Sequence, residues 1–180
     1  MVRKIGILRL SHRHFRDQRM TTHVALSSRA FGCTSFAYTG EKDVNLEKSL
    51  RDIADRWGGE FKVEYVEGYR GYINSWIGKV VHLSMFGEDH RKTLHDLEKF
   101  KDEDLLIIVG GPKVPPPVYE LSDFNTAIGH QPHSEIAAIS VFLTDLLGSE
   151  VLYREFPGAK VDIPPGLKAG RSKMRSSESV

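Results

Sequence analysis

Short apolar runs alternate along this chain with longer stretches in which apolar residues recur at helical spacing. The runs predict strands at residues 5–10, 36–38, 61–66, 79–85, 105–109 and 124–128. The longer stretches predict helices at residues 21–31, 45–57, 88–100 and 133–147. Strands that alternate with helices are typical of an α/β fold, in which helices cover both faces of a mostly parallel sheet.

The pattern fades after Gly148, which divides the chain into two parts. Residues 1–150 are predicted to form one domain, and residues 151–180 a C-terminal extension whose polar end, from residue 168, is disordered. A chain of 180 residues is long enough to bury a real core without disulfides or metals.

The cellular setting follows from the cysteine content and from the absence of long apolar runs. Cys33 is the only cysteine, so neither a disulfide framework nor a thiolate metal cluster is expected. The N-terminus becomes charged too soon for a signal peptide, and no apolar run approaches the ~20 residues of a membrane span. We therefore expect a soluble, cytoplasmic protein.

The net charge of +1 hides an uneven distribution. Residues 1–30 carry seven basic residues and a single acid, Asp17; the basic residues are Arg3, Lys4, Arg9, Arg13, Arg16, Arg19 and Arg29. Such segregation attracts polyanions whatever the net charge, although a merely solvated basic surface would show the same pattern.

Three segments that follow predicted strands contain residues suited to binding a ligand. They are residues 83–87, the Gly110-Gly111 segment up to Pro115, and residues 129–135. Ligands of open α/β sheets bind at the carboxyl ends of the strands, and glycine lets a ligand approach the backbone. Because neither dinucleotide nor P-loop motifs occur, these loops favour a flat neutral ligand such as adenine, unless they are simple turns.

The eight histidines raise the question of a metal site. His12 and His14 flank Arg13, and His130 and His133 lie three positions apart. Since no HExxH motif or second ligand cluster is evident in the sequence, no metal site is expected.

Five segments resemble the archaeal tRNA cytidine-56 2′-O-methyltransferases of the SPOUT, or trefoil-knotted, class. They read RLSHRHFRDQRMTTHVALSSRAFG, GKVVHLSMFGED, DLLIIVGGPKVP, VYELSDFN and GHQPHSEIAAISVFL. The resemblance implies a deep C-terminal trefoil knot, S-adenosylmethionine as cofactor, tRNA as substrate and a homodimer. It runs nearly end to end, from Ile7 to Leu147.

The resemblance also assigns roles to residues. The cofactor pocket would contain Leu83, Gly110, Gly111, Pro112, Lys113, Val114, Ile128, Gly129, His130, Gln131, Pro132, His133, Ser134 and Glu135. The catalytic residues would be Arg29, His133 and Glu135, and the RNA-binding residues Arg9, His12, Arg13, Arg16 and Arg19. Where this chain has Pro112, the family usually has a carboxylate.

In the mechanism that this resemblance implies, Arg29 stabilises the ribose oxyanion as it attacks the methyl group. The proton passes to an RNA phosphate, to His133 or to Glu135, and the sequence does not choose among them. Two alternatives remain open. In the first, the protein methylates another RNA nucleoside. In the second, it binds RNA without catalysis, because position 112 has proline in place of the carboxylate of the family.

Overall fold

The elements alternate between strand and helix through most of the chain. A computed structural model describes residues 3–111, 113–163, 166 and 173–174. The strands are β1 (Ile5–His12), β2 (Ser35–Gly40), β3 (Lys62–Tyr65), β4 (Lys79–Asp89), β5 (Leu105–Val109), β6 (Phe124–Ala127), β7 (Val161–Asp162) and β8 (Lys173–Met174). The helices are α1 (His14–Ala30), α2 (Val44–Trp57), α3 (Tyr69–Ser75), α4 (His90–Leu97), α5 (Pro116–Leu121) and α6 (Glu135–Leu147).

The first six strands form one parallel sheet in the order β3-β2-β1-β5-β4-β6. The central strand β5, with sequence LLIIV, is buried at every position because β1 and β4 flank it and helices cover it. All carboxyl ends of a parallel sheet lie at one edge, so the loops after β1, β4, β5 and β6 meet there.

Helices cover both faces of the sheet, which confirms the α/β prediction. One face packs against α1, α2, α4 and α6 through a large apolar cluster that includes Val24, Leu50 and Phe142. The other face packs against α3 and α5 through Ile73 and Val118. Because Arg9 alternates with Leu8 and Leu10 along β1, its side chain lies on the α1 and α6 face.

Several predicted boundaries were wrong. Helix α1 begins at His14 rather than at residue 21, because its first two turns lie on the surface and carry no apolar pattern. The N-cap of α2 is Asp43, whose side chain accepts from Leu46 N, and not Asn45. Strand β4 continues to Asp89, and the short helices α3 and α5 were not predicted.

The segment after α6 packs back onto the domain. A 3₁₀ helix at Ser149–Tyr153 buries Val151, and Gly59 N and Lys160 N donate hydrogen bonds that join this segment to the end of α2. The predicted disordered end falls mostly outside the described residues, and the domain division and the trefoil knot stay predictions. Among the described residues, no helix combines the length and apolar character needed to cross a membrane.

Candidate functional site

A cavity of about 390 Å³ lies at the carboxyl edge of the sheet, where the three predicted loops meet. Its walls come from the ends of β4, β5 and β6 and from the first turn of α6. The lining residues are Leu83, Ser84, Met85, Phe86, Gly110, Gly111, Val114, Tyr119, Ile128, Gln131, Pro132, His133, Ser134, Glu135 and Ala138. The volume is in the range of small-molecule sites.

Most of the predicted pocket residues line this cavity. Three do not: Lys113, Gly129 and His130, which are exposed beside it. Pro112 lies outside the described residues. Three further lining residues, Ser84, Met85 and Phe86, belong to the segment 83–87 that its position after a strand had indicated, although the resemblance assigned only Leu83 from it. Tyr119 and Ala138 also line the cavity and were missed: both lie in segments that carry the resemblance, but neither was assigned to the site.

The two adjacent glycines of the second loop serve different purposes. A Cβ atom on Gly110 would lie 2.0 Å from Val114 Cγ2, so glycine is needed there for the loop to fold back on itself. A Cβ on Gly111 would meet nothing closer than Leu10 O, at 3.9 Å. Gly111 therefore leaves open space at the cavity wall, as a site for a closely approaching ligand requires.

A buried ion pair joins β1 to the mouth of the cavity. Arg9 Nε lies 3.1 Å from Glu135 Oε2, with the side chains 2% and 22% exposed. Burial raises the pKa of Glu135 above its ordinary value, and the Arg9 cation offsets only part of that rise. A carboxylate with a raised pKa at the edge of a cavity is suited to accept a proton near neutral pH.

His133, the other predicted proton acceptor, is held by the backbone. Its Nε2 lies 2.6 Å from Ile128 O and its Nδ1 3.1 Å from Ser134 O. A carbonyl oxygen only accepts, so each ring nitrogen can act only as a donor in its contact, and neither directs a lone pair toward the cavity. His133 therefore orients the loop between β6 and α6, and Glu135 is the better acceptor.

The wall opposite α6 is ordered by a chain of polar contacts. Ser84 Oγ and Tyr119 Oη are 3.0 Å apart, and the Tyr119 ring packs edge-on against His82 at 4.6 Å between centroids. His82 Nδ1 in turn lies 2.9 Å from Asn125 Oδ1. Burial lowers the pKa of His82, so this ring is a neutral packing element.

The structure does not bring Arg29 to the cavity of its own chain. Helix α1 runs back from the carboxyl edge, and Arg29, 15 residues beyond His14, lies about 22 Å further along the helix axis. There its guanidinium donates to Gly58 O and lies 4.6 Å from the centre of the Phe156 ring. These contacts fix the end of α1 and occupy the side chain that was predicted to be catalytic.

Burial also changes the predicted RNA-binding set. Arg9 and His12 are enclosed, so neither can contact an RNA backbone or stack on a base from the surface. Arg13 is partly exposed and forms an ion pair with Asp17, at 2.7 Å. Arg16 and Arg19 are exposed, and Phe15 beside them is fully exposed.

Comparison with known proteins identifies the family. Residues 57–173 match the family described as tRNA ribose 2′-O-methyltransferase, aTrm56. A Methanopyrus kandleri protein named tRNA (cytidine(56)-2′-O)-methyltransferase is 46% identical over 90% of this chain and 92% of its own. A Pyrococcus horikoshii protein of the same name is 47% identical over 89% of this chain and 80% of its own.

The fold is also that of solved SpoU methyltransferases. The SpoU methyltransferase AviRb from Streptomyces viridochromogenes, in complex with AdoMet, matches with a TM-score of 0.60 and 15% identity, over 84% of this chain and 59% of that chain. The A. aeolicus TrmH/SpoU tRNA modifying enzyme matches with a TM-score of 0.57 and 11% identity, over 87% of this chain and 82% of that chain. From the extent of the sequence matches, the chain belongs to the aTrm56 family of tRNA ribose 2′-O-methyltransferases.

Proposed function

We propose that this protein transfers a methyl group from S-adenosylmethionine to the ribose 2′-hydroxyl of cytidine 56 in tRNA. The observation that carries the proposal is a carboxylate, Glu135, which lies in the cavity wall at the carboxyl edge of the sheet and is paired with a buried arginine. The name of the family and the names of its archaeal relatives support the substrate and the reaction.

The residues of the cavity fit the cofactor. Apolar side chains of Leu83, Val114, Ile128 and Ala138 offer a surface for the adenine ring, and Gly111 leaves room for close approach to the backbone. S-adenosylmethionine, when bound, supplies an electrophilic methyl group on a sulfonium. The described part of the lining consists of backbone loops without a cluster of metal ligands, and we expect the cofactor to bind without a metal.

Glu135 is the group that accepts the proton of the ribose hydroxyl. Transfer of the methyl group would require the attacking hydroxyl to give up its proton, and the Glu135 carboxylate in the cavity wall would accept it. The raised pKa of Glu135 places its basicity nearer to neutral pH. Arg9 acts through Glu135, by keeping it ionised and directed toward the cavity.

The start of α1 supplies the surface that binds tRNA. Arg16 and Arg19 are exposed on its first turns, and Phe15 presents an uncovered ring that suits a displaced base. These residues follow β1 by a few positions, so they lie at the same edge of the sheet as the cavity. A phosphate backbone held there would bring a ribose toward Glu135.

The proposal includes a homodimer that works in the cytoplasm, where tRNA is available. Met85 and Phe86 line the cavity yet are 40% and 80% exposed, and a second copy that covers them would close the cavity and extend the RNA surface. Analytical ultracentrifugation of the purified chain tests the dimer, and a mass equal to one chain would overturn it.

Mapping of the modified nucleotide tests the function. The protein is incubated with labelled S-adenosylmethionine and a tRNA transcript, and the product is digested and analysed by mass spectrometry. We expect one methyl group, on cytidine 56, and none on a matched transcript with 2′-deoxycytidine at that position. Methylation elsewhere would favour another nucleoside as substrate, and tRNA binding without methyl transfer would favour the non-catalytic alternative.

A further inference from the structure

Three side chains with metal-binding atoms converge between the end of β1 and the start of α2. They are His12, His14 and Asp43, and the candidate ligand atoms all lie within 4.8 Å of one another. His12 and Asp43 are 0% and 1% exposed, whereas His14 is partly open to solvent. None of the three lines the cavity described above, so the cluster is separate from the methyl-transfer site.

A hydrogen bond to another atom of each side chain fixes its orientation. His12 Nδ1 lies 2.8 Å from Thr21 Oγ1, and His14 Nε2 lies 2.8 Å from Lys42 O. Asp43 Oδ1 accepts from Leu46 N as the cap of α2. The remaining atoms, His12 Nε2, His14 Nδ1 and Asp43 Oδ2, are the candidate ligand atoms of the cluster.

Two of these three candidate ligand atoms are buried without a hydrogen-bond partner among the described residues. They are His12 Nε2 and Asp43 Oδ2. Buried polar atoms nearly always have a partner, and leaving one unsatisfied is costly. The geometry instead fits a bound cation. Asp43 Oδ2 lies 3.5 Å from His12 Nε2 and 3.3 Å from His14 Nδ1.

We propose that His12 Nε2, His14 Nδ1 and Asp43 Oδ2 bind one divalent metal ion of the zinc type. A tetrahedral zinc ion with ligand bonds of about 2.1 Å separates its ligands by about 3.4 Å, which agrees with both distances to Asp43. Two imidazoles and one carboxylate are ordinary zinc ligands, and the exposed side of His14 leaves a fourth position for water. The proposal replaces the expectation of no metal site.

The three side chains form a ligand set that suits a cation, because the Asp43 carboxylate oxygen lies within 3.5 Å of a nitrogen of each histidine. The contacts to Thr21 and to the Lys42 carbonyl are the kind that orient metal-binding histidines.

The role of the ion would be to brace the segment that carries the RNA-binding residues. His12 ends β1 and His14 begins α1, so a metal bound to both and to Asp43 fixes the turn between them against α2. Phe15 and Arg16 follow directly on the exposed side. The ion is thus structural, and neither cofactor binding nor the proton transfer passes through it.

Metal titration of the full chain tests this inference without reference to activity. The protein is stripped with a chelator, dialysed, and titrated with Zn²⁺ by calorimetry and with Co²⁺ by absorption spectroscopy. We compare the wild type with His14→Ala, which removes a half-exposed ligand, and with Asp43→Asn, which keeps an oxygen to cap α2. His95→Ala is the matched control, because His95 is an exposed histidine outside the cluster.

We expect the wild type and His95→Ala to bind one equivalent, with the visible spectrum of tetrahedral Co²⁺ and a thermal unfolding midpoint that rises on adding zinc. His14→Ala should bind at least tenfold more weakly and lose the zinc-dependent rise. If the stripped wild type takes up less than one equivalent at micromolar zinc, or if folded His14→Ala binds as tightly as the control, the proposal is wrong. His14→Ala decides the matter even if Asp43→Asn fails to fold.

Discussion

The pair formed by Arg9 and Glu135 makes a quantitative prediction about the pH dependence of methyl transfer. In Arg9→Met the positive charge is removed while an unbranched side chain still fills the space. Glu135 then loses the cation that opposes the effect of burial, and its pKa rises further. Because only the ionised form accepts a proton, the rate at neutral pH should fall and the acid limb of the pH–rate profile should move upward.

The size of the shift follows from the 3.1 Å contact. At an effective dielectric constant of about 20, two unit charges at this separation attract by about 5 kcal/mol, and desolvation of the arginine offsets part of that. An adjacent arginine typically lowers a carboxyl pKa by about 1–3 units. We therefore expect the acid limb to rise by about 1–3 pH units in Arg9→Met, and by less in Arg9→Lys.

The same rise in the pKa of Glu135 should also change how the free energy of unfolding depends on pH. A carboxyl group whose folded pKa lies above its unfolded value contributes full stability below the unfolded pKa. That stability is lost as the pH rises through the folded pKa. The window runs upward from about 4.5, the ordinary value for Glu135. Over it, the free energy of unfolding of Arg9→Met should decline more steeply than that of the wild type.

Single-turnover methylation at saturating tRNA, measured from pH 5 to 9, tests the prediction. The variant Glu135→Gln serves as the limiting case, since it should be slow and show no acid limb from this group. An acid limb at the same pH in Arg9→Met and the wild type would refute the coupling. If Glu135→Gln shows the pH–rate profile of the wild type, a group other than Glu135 accepts the proton of the ribose hydroxyl.

Three further predictions separate the roles of other residues. Gly111→Val should fold normally but bind S-adenosylmethionine at least tenfold more weakly in calorimetry, whereas Gly110→Val should also lower the melting temperature, because its Cβ collides with the loop. Equal cofactor affinity in Gly111→Val and the wild type would show that the cofactor does not bind against Gly111. Arg29→Ala should reduce the free energy of unfolding by about 2–4 kcal/mol in urea titrations, yet turn over at the normal rate once tRNA saturates. Loss of turnover in folded Arg29→Ala would instead show that Arg29 has the catalytic role that the resemblance implies. Arg16→Ala should lower the salt-dependence slope of tRNA binding by about 0.7–0.9 for one phosphate, and Arg13→Ala by less, because Arg13 already pairs with an acid. Identical slopes for the two variants would contradict this assignment.

The position of the cavity could be predicted from sequence because it depends on local patterns and one topological rule. The LLIIV strand and the glycines after it are visible in the sequence, and parallel strands bring their carboxyl ends to one edge. The rule does not say which neighbouring side chains reach that edge. Tyr119 does so from α5, a helix of six residues that begins with two prolines and has no apolar periodicity.

Burial of charged residues was the part that the sequence could not supply. An arginine in a basic segment is normally exposed, and Arg9 is buried only because Glu135, 126 positions away, neutralises it. The ligands of the proposed metal site are likewise distant, since Asp43 lies beyond α1 and β2. The resemblance assigned Arg29 to catalysis, and the sequence could not show that the side chain contacts Gly58 and Phe156, away from the cavity of its own chain.

The turn at the end of β1 explains how Arg9 and His12, three positions apart, belong to two different sites. Ser11 is the one described residue other than glycine with a positive φ, at 60°. The pairing of β1 with β2 shifts register between Arg9 and His12, and Ser11 N donates to Thr39 Oγ1 within that shift. Such a backbone conformation is costly for serine and persists only where its surroundings enforce it. Regular alternation would give Arg9 and His12 opposite faces of the sheet. The irregularity at Ser11 instead lets Arg9 pair with Glu135 while His12 meets Asp43 beside α2, so a metal that fixes His12 would also limit the movement of Arg9.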